Sequence, residues 1–413
     1  MKFDHHSEAF SKNMDEFYRN ARKECPVFHS ESYGGFTVLT RYADIRAALR
    51  NHATYFSGRF VDHNGRTGGG VAIPPNAFRI GIIEMDPPEA TAVRNVLTPW
   101  FSLDAINAGS ARIEQLAQWV VDTVIERGGC DVVRDLATPM PSLLILDHLG
   151  LPLDRAAEYG PILHQAVAKA SGSAPKLKWL LNDLERTITM KEYRDDSLVA
   201  ALVNAHVQGS RLSLELVAEL TMMLLFGGTD TTISAISSAM FHFSENESDR
   251  QRVIEHPALL PTAIEEILRL YCPATGVART VRQPTEVAGV KLSPGDRVLC
   301  PLNSGNRDDS VFTHAEEFRL DRPAKPHLAF GAGVHACLGQ NLARADLRIY
   351  LTEILQRMPD FKVDAAHSER YRSAPLVNGF TAMPVRFTPR ERRPHTRSVL
   401  PHLTAPRIVP VAL

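Results

Sequence analysis

From Ser213 to about Phe243 the chain reads as one helix of roughly 30 residues, about 45 Å at 1.5 Å per residue. That is well beyond the usual length in globular proteins. Leu214, Leu216, Val217, Leu220, Met223, Leu224 and Leu225 make it apolar almost all round. A helix with no polar face crosses the middle of a protein, so the other elements must pack around it. Halfway along stands Gly227-Gly228-Thr229-Asp230-Thr231-Thr232. Two glycines inside a helix cost about 1 kcal/mol each relative to alanine, and a local violation of this kind marks a functional site. A hydroxyl there can bond back to the i−4 carbonyl and open the helix slightly. The plainer alternative is a packing kink beside a buried, satisfied Asp230.

The second constraint is Phe330-Gly331-Ala332-Gly333-Val334-His335-Ala336-Cys337-Leu338-Gly339. Pro323 and Pro326 stiffen the approach, and Gln340 to Arg348 has helical composition with almost no breakers. Cys337 is thus expected on a glycine-rich loop feeding a helix N-terminus, where backbone N–H donors and the helix dipole favour thiolate. The glycines let a large flat ligand approach the backbone. A lone cysteine in isolation is more often a buried apolar residue. Structural zinc needs several Cys or His ligands, and no C-x₂-C pair exists. A cysteine nucleophile stays open, although no base is identifiable from sequence order. A single thiolate with an aromatic in front suits axial ligation of haem iron.

These ten residues resemble the haem-binding loop of the cytochrome P450 family, with Phe330, Gly331, Gly333, His335, Cys337 and Gly339 filling its characteristic positions. Gly227 to Thr231 is similar to the family's oxygen-activation motif, Gly-Gly-x-Asp-Thr. The resemblance spans roughly residues 10 to 387. It implies a mainly α fold with a smaller β-rich portion, a triangular prism whose long central helix crosses over the haem. It further implies a single domain over 1–387 and haem b as cofactor. Cys337 would ligate the iron and donate electron density that favours O–O cleavage. Thr231 would hold a water beside O₂, and Asp230 would relay protons. Gly227, Gly228, Phe330, Gly331 and Gly339 would contact the haem, and Arg94, Arg279 and His335 its propionates. Ala90 departs from the family's Asp-Pro-Pro-Glu-His, where this chain has Asp86-Pro87-Pro88-Glu89-Ala90. Glu266 and Arg269, at i, i+3 on the helix expected over 257–271, would join Arg322 in a buried cluster holding the cysteine segment.

The activity implied is insertion of one oxygen atom of O₂ into an apolar or amphipathic small molecule, as C–H hydroxylation, epoxidation or aryl oxidation. Phe226, Thr275, Val277 and Val377, with the loop from Phe56 to Glu84, would face the substrate. Electrons would come from a separate ferredoxin and ferredoxin reductase, the ferredoxin docking near Arg344 and Arg348. Other uses of the same residues are a peroxide-dependent peroxygenase, a redox-neutral haem-thiolate isomerase and a non-enzymatic haem-binding sensor.

Composition bounds the partners. A net charge of −1 over 413 residues gives no reason to propose nucleic acid. Cys25, Cys130, Cys272, Cys300 and Cys337 follow no pairing pattern, as in a reducing compartment. No apolar leader opens the chain and no run of 18 apolar residues occurs, so a cytoplasmic protein without membrane insertion is expected; a monomer is expected as well.

Local signals complete the reading. They predict a helix over 8–24, a hairpin through Gly34-Gly35 and a helix over 41–51. A further helix is expected to be capped by Asp86 and to run to about Phe101. Helices with breaks follow from 104 to 208, with a loop near Ala170 to Pro175. Strands are expected at 275–280 and 287–292, and a last hairpin turns at Asn378-Gly379. Residues 388 to 413, with five prolines and five arginines, form an extension or linker of unassigned role.

Overall fold

The computed structural model describes residues 3–61, 67–76, 79–168, 174–373 and 376–394. Its axis is the helix Leu214–Glu245, 32 residues long, which starts where Ser213 accepts a hydrogen bond from the Leu216 N–H. Helices Pro139–Leu149, Ala156–Ala168, Ala174–Thr189, Leu260–Tyr271 and Gln340–Arg357 pack on it from several sides. By length and composition this helix would also suffice to cross a membrane, but 67% of that stretch is buried inside the fold. Its lack of a polar face is therefore satisfied by neighbouring helices.

The β portion is smaller. Five strands are ordered Val27–Ser30, Phe36–Leu39, Arg297–Pro301, Gly276–Val281, Tyr55–Phe56. All their pairings are antiparallel except that of Phe36–Leu39 with Arg297–Pro301. Helix Tyr42–Arg50 and this sheet enclose a second core containing Ile45, Leu49, Val298 and Leu302. Against the first two strands of the sheet lies an aromatic cluster of Phe3, Tyr18, Phe28 and Phe36.

Three local expectations change. The helix expected from Asp86 begins at Glu89, with Pro88 at its cap position. Asp86 instead accepts the N–H groups of Ser57 and Gly58, both at 3.0 Å, and so fixes the start of the long loop. Asn378-Gly379 is not a two-residue hairpin turn. Phe380–Ala382 pairs with Glu369–Arg370, and Lys362–Val363 pairs with Pro384–Arg386. The backbone around Asn378 is held by tertiary contacts, its N–H on Pro273 O at 2.8 Å and its carbonyl accepting from Ser234 Oγ. Of the loop expected near 170–175, residues 169–173 lie outside the described residues, and Ala174 already opens a helix.

The start of the C-terminal extension packs on the body. The Arg390 N–H meets Ile125 O at 3.1 Å, and Arg392 pairs with Glu126 at 2.9 Å. Residues 395–413, with Ile408, Val409 and Val411, lie outside the described residues.

Candidate functional site

The cysteine loop is built by close backbone approach. Gly331 and Gly333 sit at φ +66° and +74°, and a Cβ on Gly333 would lie 2.5 Å from the Leu49 carbonyl. Only glycine fits there without displacing backbone. The Cys337 N–H closes the loop on Phe330 O at 2.8 Å. Helix Gln340–Arg357 follows, with Gly339 at its cap. Burial pushes the Cys337 thiol above its ordinary value, while the Gly339 N–H, Arg94 and Arg344 act in the opposite direction. The thiolate-favouring donors are thus present, and burial outweighs them.

Cys337 faces a cavity of about 300 Å³. Gly227, Gly228, Thr231 and Thr232 of the central helix line it too, with Ile82, Leu144, Leu224 and Leu268 among its apolar walls. The two glycines serve different ends. Around a Cβ on Gly227 there is nothing within 4 Å, whereas one on Gly228 would meet Ile145 Cδ1 at 3.0 Å. Gly227 thus leaves room beside the cavity, and Gly228 lets helix Pro139–Leu149 approach. Thr231 Oγ1 donates to Gly227 O at 2.8 Å, the expected i−4 bond.

Arg94, Arg279 and His335 also line this cavity, as do Phe330, Gly331 and Gly339. Arg94 donates to Ala336 O at 2.7 Å. Arg279 is 3% exposed and donates to Ala278 O, and among the described residues neither arginine has a carboxylate within ion-pair distance. His335 Nε2 is buried without a partner, and burial, then Arg279, lowers its pKa to about 4. Buried cationic groups are normally matched by anions, and here neither arginine is ion-paired with one among the described residues. An apolar slot with one thiol and an unmatched cationic wall fits a flat macrocycle bearing carboxylates and a metal that brings its own ligands. Among the described residues no group of three or more His, Cys, Asp or Glu side chains could hold a metal. Ala90 is buried and lines neither this cavity nor the outer one, so the departure from the family pattern falls off the site wall.

Asp230 points elsewhere. Although next to Thr231 in sequence, it lines neither cavity and is 1% exposed. Its Oδ1 lies 2.8 Å from His164 Nδ1 and 3.0 Å from Tyr371 Oη. Burial raises its pKa, against the two hydrogen bonds that lower it. Sequence reasoning missed His164 and Tyr371, which stand 66 and 141 residues from it. It also missed Asp346, a 2% exposed carboxyl on the cavity wall whose Oδ1 has no partner.

An outer cavity of about 510 Å³ adjoins the first at Met223, which lines both. Phe226 and Val377 line the outer space, and Val277 lines the inner one. Thr275, expected at the pocket wall, lines neither; its N–H pairs with Leu376 O and its carbonyl accepts from Asn303 N. His5 and His6 contribute to the outer wall, which no local signal indicated. The described parts of the long loop are organised by Glu84. Its carboxylate accepts from Arg59 Nε at 2.6 Å, Ile80 N at 2.9 Å and Val71 N at 3.0 Å. Residues 62–66 and 77–78 of that loop lie outside the described residues.

Beneath the site, Arg269 chelates Glu266 at 2.7 and 2.9 Å, and Arg322 Nε lies 2.8 Å from Glu266 Oε1. Arg269 also donates to the carbonyls of Asn306, Ala315 and Glu317, which lead toward the cysteine loop. Arg344 is not a free surface cation. It chelates Glu265 at 2.7 and 3.0 Å and stacks 4.5 Å over Phe330, while Arg348 is exposed.

A family model described as Cytochrome P450 matches residues 160–385. A steroid C26-monooxygenase of Mycolicibacterium smegmatis is 31% identical over 91% of this chain and 92% of its own length. The 20-oxo-5-O-mycaminosyltylactone 23-monooxygenase of Streptomyces fradiae is 30% identical over 90% of this chain and 89% of its own. Among solved structures, CYP109E1 of Bacillus megaterium in complex with testosterone superposes with a TM-score of 0.81 at 26% identity, covering 92% of this chain and 99% of that one.

Proposed function

The chain belongs to the cytochrome P450 family and is a monooxygenase, an oxidoreductase of a family whose cofactor is cysteine-ligated haem; from that premise we propose that Cys337 is its iron ligand. The carrying observation is one cavity with Cys337, the opened stretch Gly227 to Thr231, and the unmatched Arg94, Arg279 and His335 on its walls. Haem b held there supplies the binding and reductive activation of O₂ and the transfer of one oxygen atom. The rest of the reaction falls to the chain's own residues. Arg94, Arg279 and His335 hold the propionates, and Phe330, Gly331 and Gly339 shape the thiolate side. Thr231 orients a water in the space left by Gly227, and Asp230 supplies protons from behind it. Glu266, Arg269 and Arg322 keep the cysteine segment in place.

The substrate is an apolar or amphipathic small molecule that enters through the outer cavity past Phe226 and Val377 and reacts near Val277. Its lining of Val71, Ala72, Ile73, Leu177 and Met222 supports this class. The relatives' names, a steroid C26-monooxygenase and a mycaminosyltylactone 23-monooxygenase, support bulky substrates, oxidised by C–H hydroxylation, epoxidation or aryl oxidation. Residues 1–387 act as one domain, a cytoplasmic monomer receiving electrons from a separate ferredoxin and its reductase. Exposed Arg348 on the cysteine helix is a basic group available to such a partner, whereas Arg344 is committed to Glu265.

The test is the absorption spectrum of the reduced, carbon-monoxide-bound protein, wild type against Cys337→Ala. A strongly red-shifted Soret band lost in the variant is expected. A histidine-type band in the wild type, or one unchanged in the variant, refutes the assignment of Cys337.

A further inference from the structure

Five of the buried carboxylates among the described residues are paired with arginine, whereas Asp230, Asp308 and Asp346 are not. Glu84 is matched by Arg59, Glu266 by Arg269 and Arg322, Asp122 and Glu353 by Arg357, and Asp135 by Arg134. An arginine is always charged and pins its partner as the anion. Asp230 is met instead by an imidazole and a phenol, both able to be neutral. His164 comes from helix Ala156–Ala168, Asp230 from the central helix, and Tyr371 from just after strand Glu369–Arg370. The three are 8%, 1% and 5% exposed.

The bonds are also one-sided. His164 Nδ1 and Tyr371 Oη both address Oδ1 and lie 3.1 Å from each other, while Oδ2 and His164 Nε2 are buried with no partner. A buried carboxylate oxygen without a partner is costly as an anion and much less so when it carries a proton or meets a water. The Tyr371 ring is held in this corner by the backbone. Its N–H pairs with Gly379 O at 3.0 Å, and a Cβ on Gly379 would meet the ring at 3.2 Å. Gly379 is thus part of this device and not of a hairpin turn. Among the described residues, the ionisable groups that act on Asp230 are His164 and Tyr371.

We propose that His164 and Tyr371 are positioning residues for Asp230: by donating to Oδ1 they leave Oδ2 as the oxygen that takes up and releases the relayed proton. The inference rests on the reading of Asp230 as the proton-supplying carboxyl. His164 is then held as the Nδ1–H tautomer. When the Oδ2–H bond breaks, its proton passes toward the water held by Thr231, and the negative charge left on the carboxylate is stabilised by the two N–H and O–H donors. Uptake of one proton at Oδ2 restores the starting state.

The test uses the holoenzyme. In reduced, carbon-monoxide-bound protein with ¹⁵N-labelled histidine, the ring nitrogens of His164, assigned by their loss in His164→Asn, should report the Nδ1–H tautomer. An Nε2–H tautomer overturns the proposal. Oxygen consumption driven by a surrogate ferredoxin and its reductase is then followed against pH. His164→Phe and Tyr371→Phe should each lower it roughly tenfold, within the range of lost general acid–base assistance. His164→Asn, which keeps a donor near the Nδ1 position, should restore most of the rate. Wild-type rates and profiles in the His164 and Tyr371 variants, with Asp230→Asn impaired, refute the positioning role alone. A wild-type profile in Asp230→Asn refutes the reading of Asp230 as well.

Discussion

Asp346 carries a charge the fold does not accommodate, and removing it should stabilise the protein above neutral pH. The carboxyl sits on helix Gln340–Arg357, 2% exposed, with Oδ1 unpartnered and no ion pair among the described residues. Burial raises its pKa from 3.8 to about 7. At about 1.4 kcal/mol per pKa unit, ionising it in the folded state costs about 4 kcal/mol more than in the unfolded chain. Below about pH 4 the group is protonated in both states and contributes nothing. Between there and about pH 7 the folded state holds the extra proton, so stability falls as pH rises, and above it the whole penalty persists. Asp346→Asn is nearly isosteric and cannot ionise. The variant should match wild type at about pH 4 and exceed it by about 2–4 kcal/mol at about pH 8. Denaturant unfolding of the holoprotein, both chains at both pH values, gives the difference free of other titrating groups. A difference independent of pH, or an asparagine variant that is less stable at about pH 8, would refute the reasoning.

Two further outcomes follow from buried ion pairs. Glu266→Ala leaves Arg269, 1% exposed, and Arg322 without their shared anion, so it should cost about 3–5 kcal/mol and lower haem content, read by denaturant unfolding and the Soret-to-protein absorbance ratio. Because the cluster holds the pKa of Glu266 down, its stabilisation is present above the ordinary carboxylate pKa and disappears as pH falls through the lowered value. Glu84→Ala removes the shared acceptor of Arg59 and of the N–H groups of Val71 and Ile80, so the loop should be cut by a limiting protease much faster than in wild type, as followed by mass spectrometry.

Much of this protein was legible along the chain because its determinants are local. The central helix shows itself in an unbroken apolar composition, and the cysteine loop in glycine, histidine and cysteine spacings that only a few backbone shapes accept. Glu266 and Arg269 are three residues apart, so one turn of helix suffices to pair them. What escaped depends on residues that meet only after folding. Asp86 looked like a helix cap, since capping is the nearest use for an aspartate before two prolines, yet its carboxylate holds Ser57 and Gly58. Thr275 lines neither cavity, and its backbone is tied to Leu376 and Asn303, residues far from it in sequence. Asn378-Gly379 carries a strong turn signal, but the pairing of its flanking strands and the Tyr371 ring decide its conformation. Sequence alone determined which chemistry the chain can hold, because thiol, glycine and threonine had to stand at short fixed intervals. Only the tertiary structure decided what surrounds Asp230, because hydrogen bonds across 66 and 141 residues leave no periodic trace in the sequence.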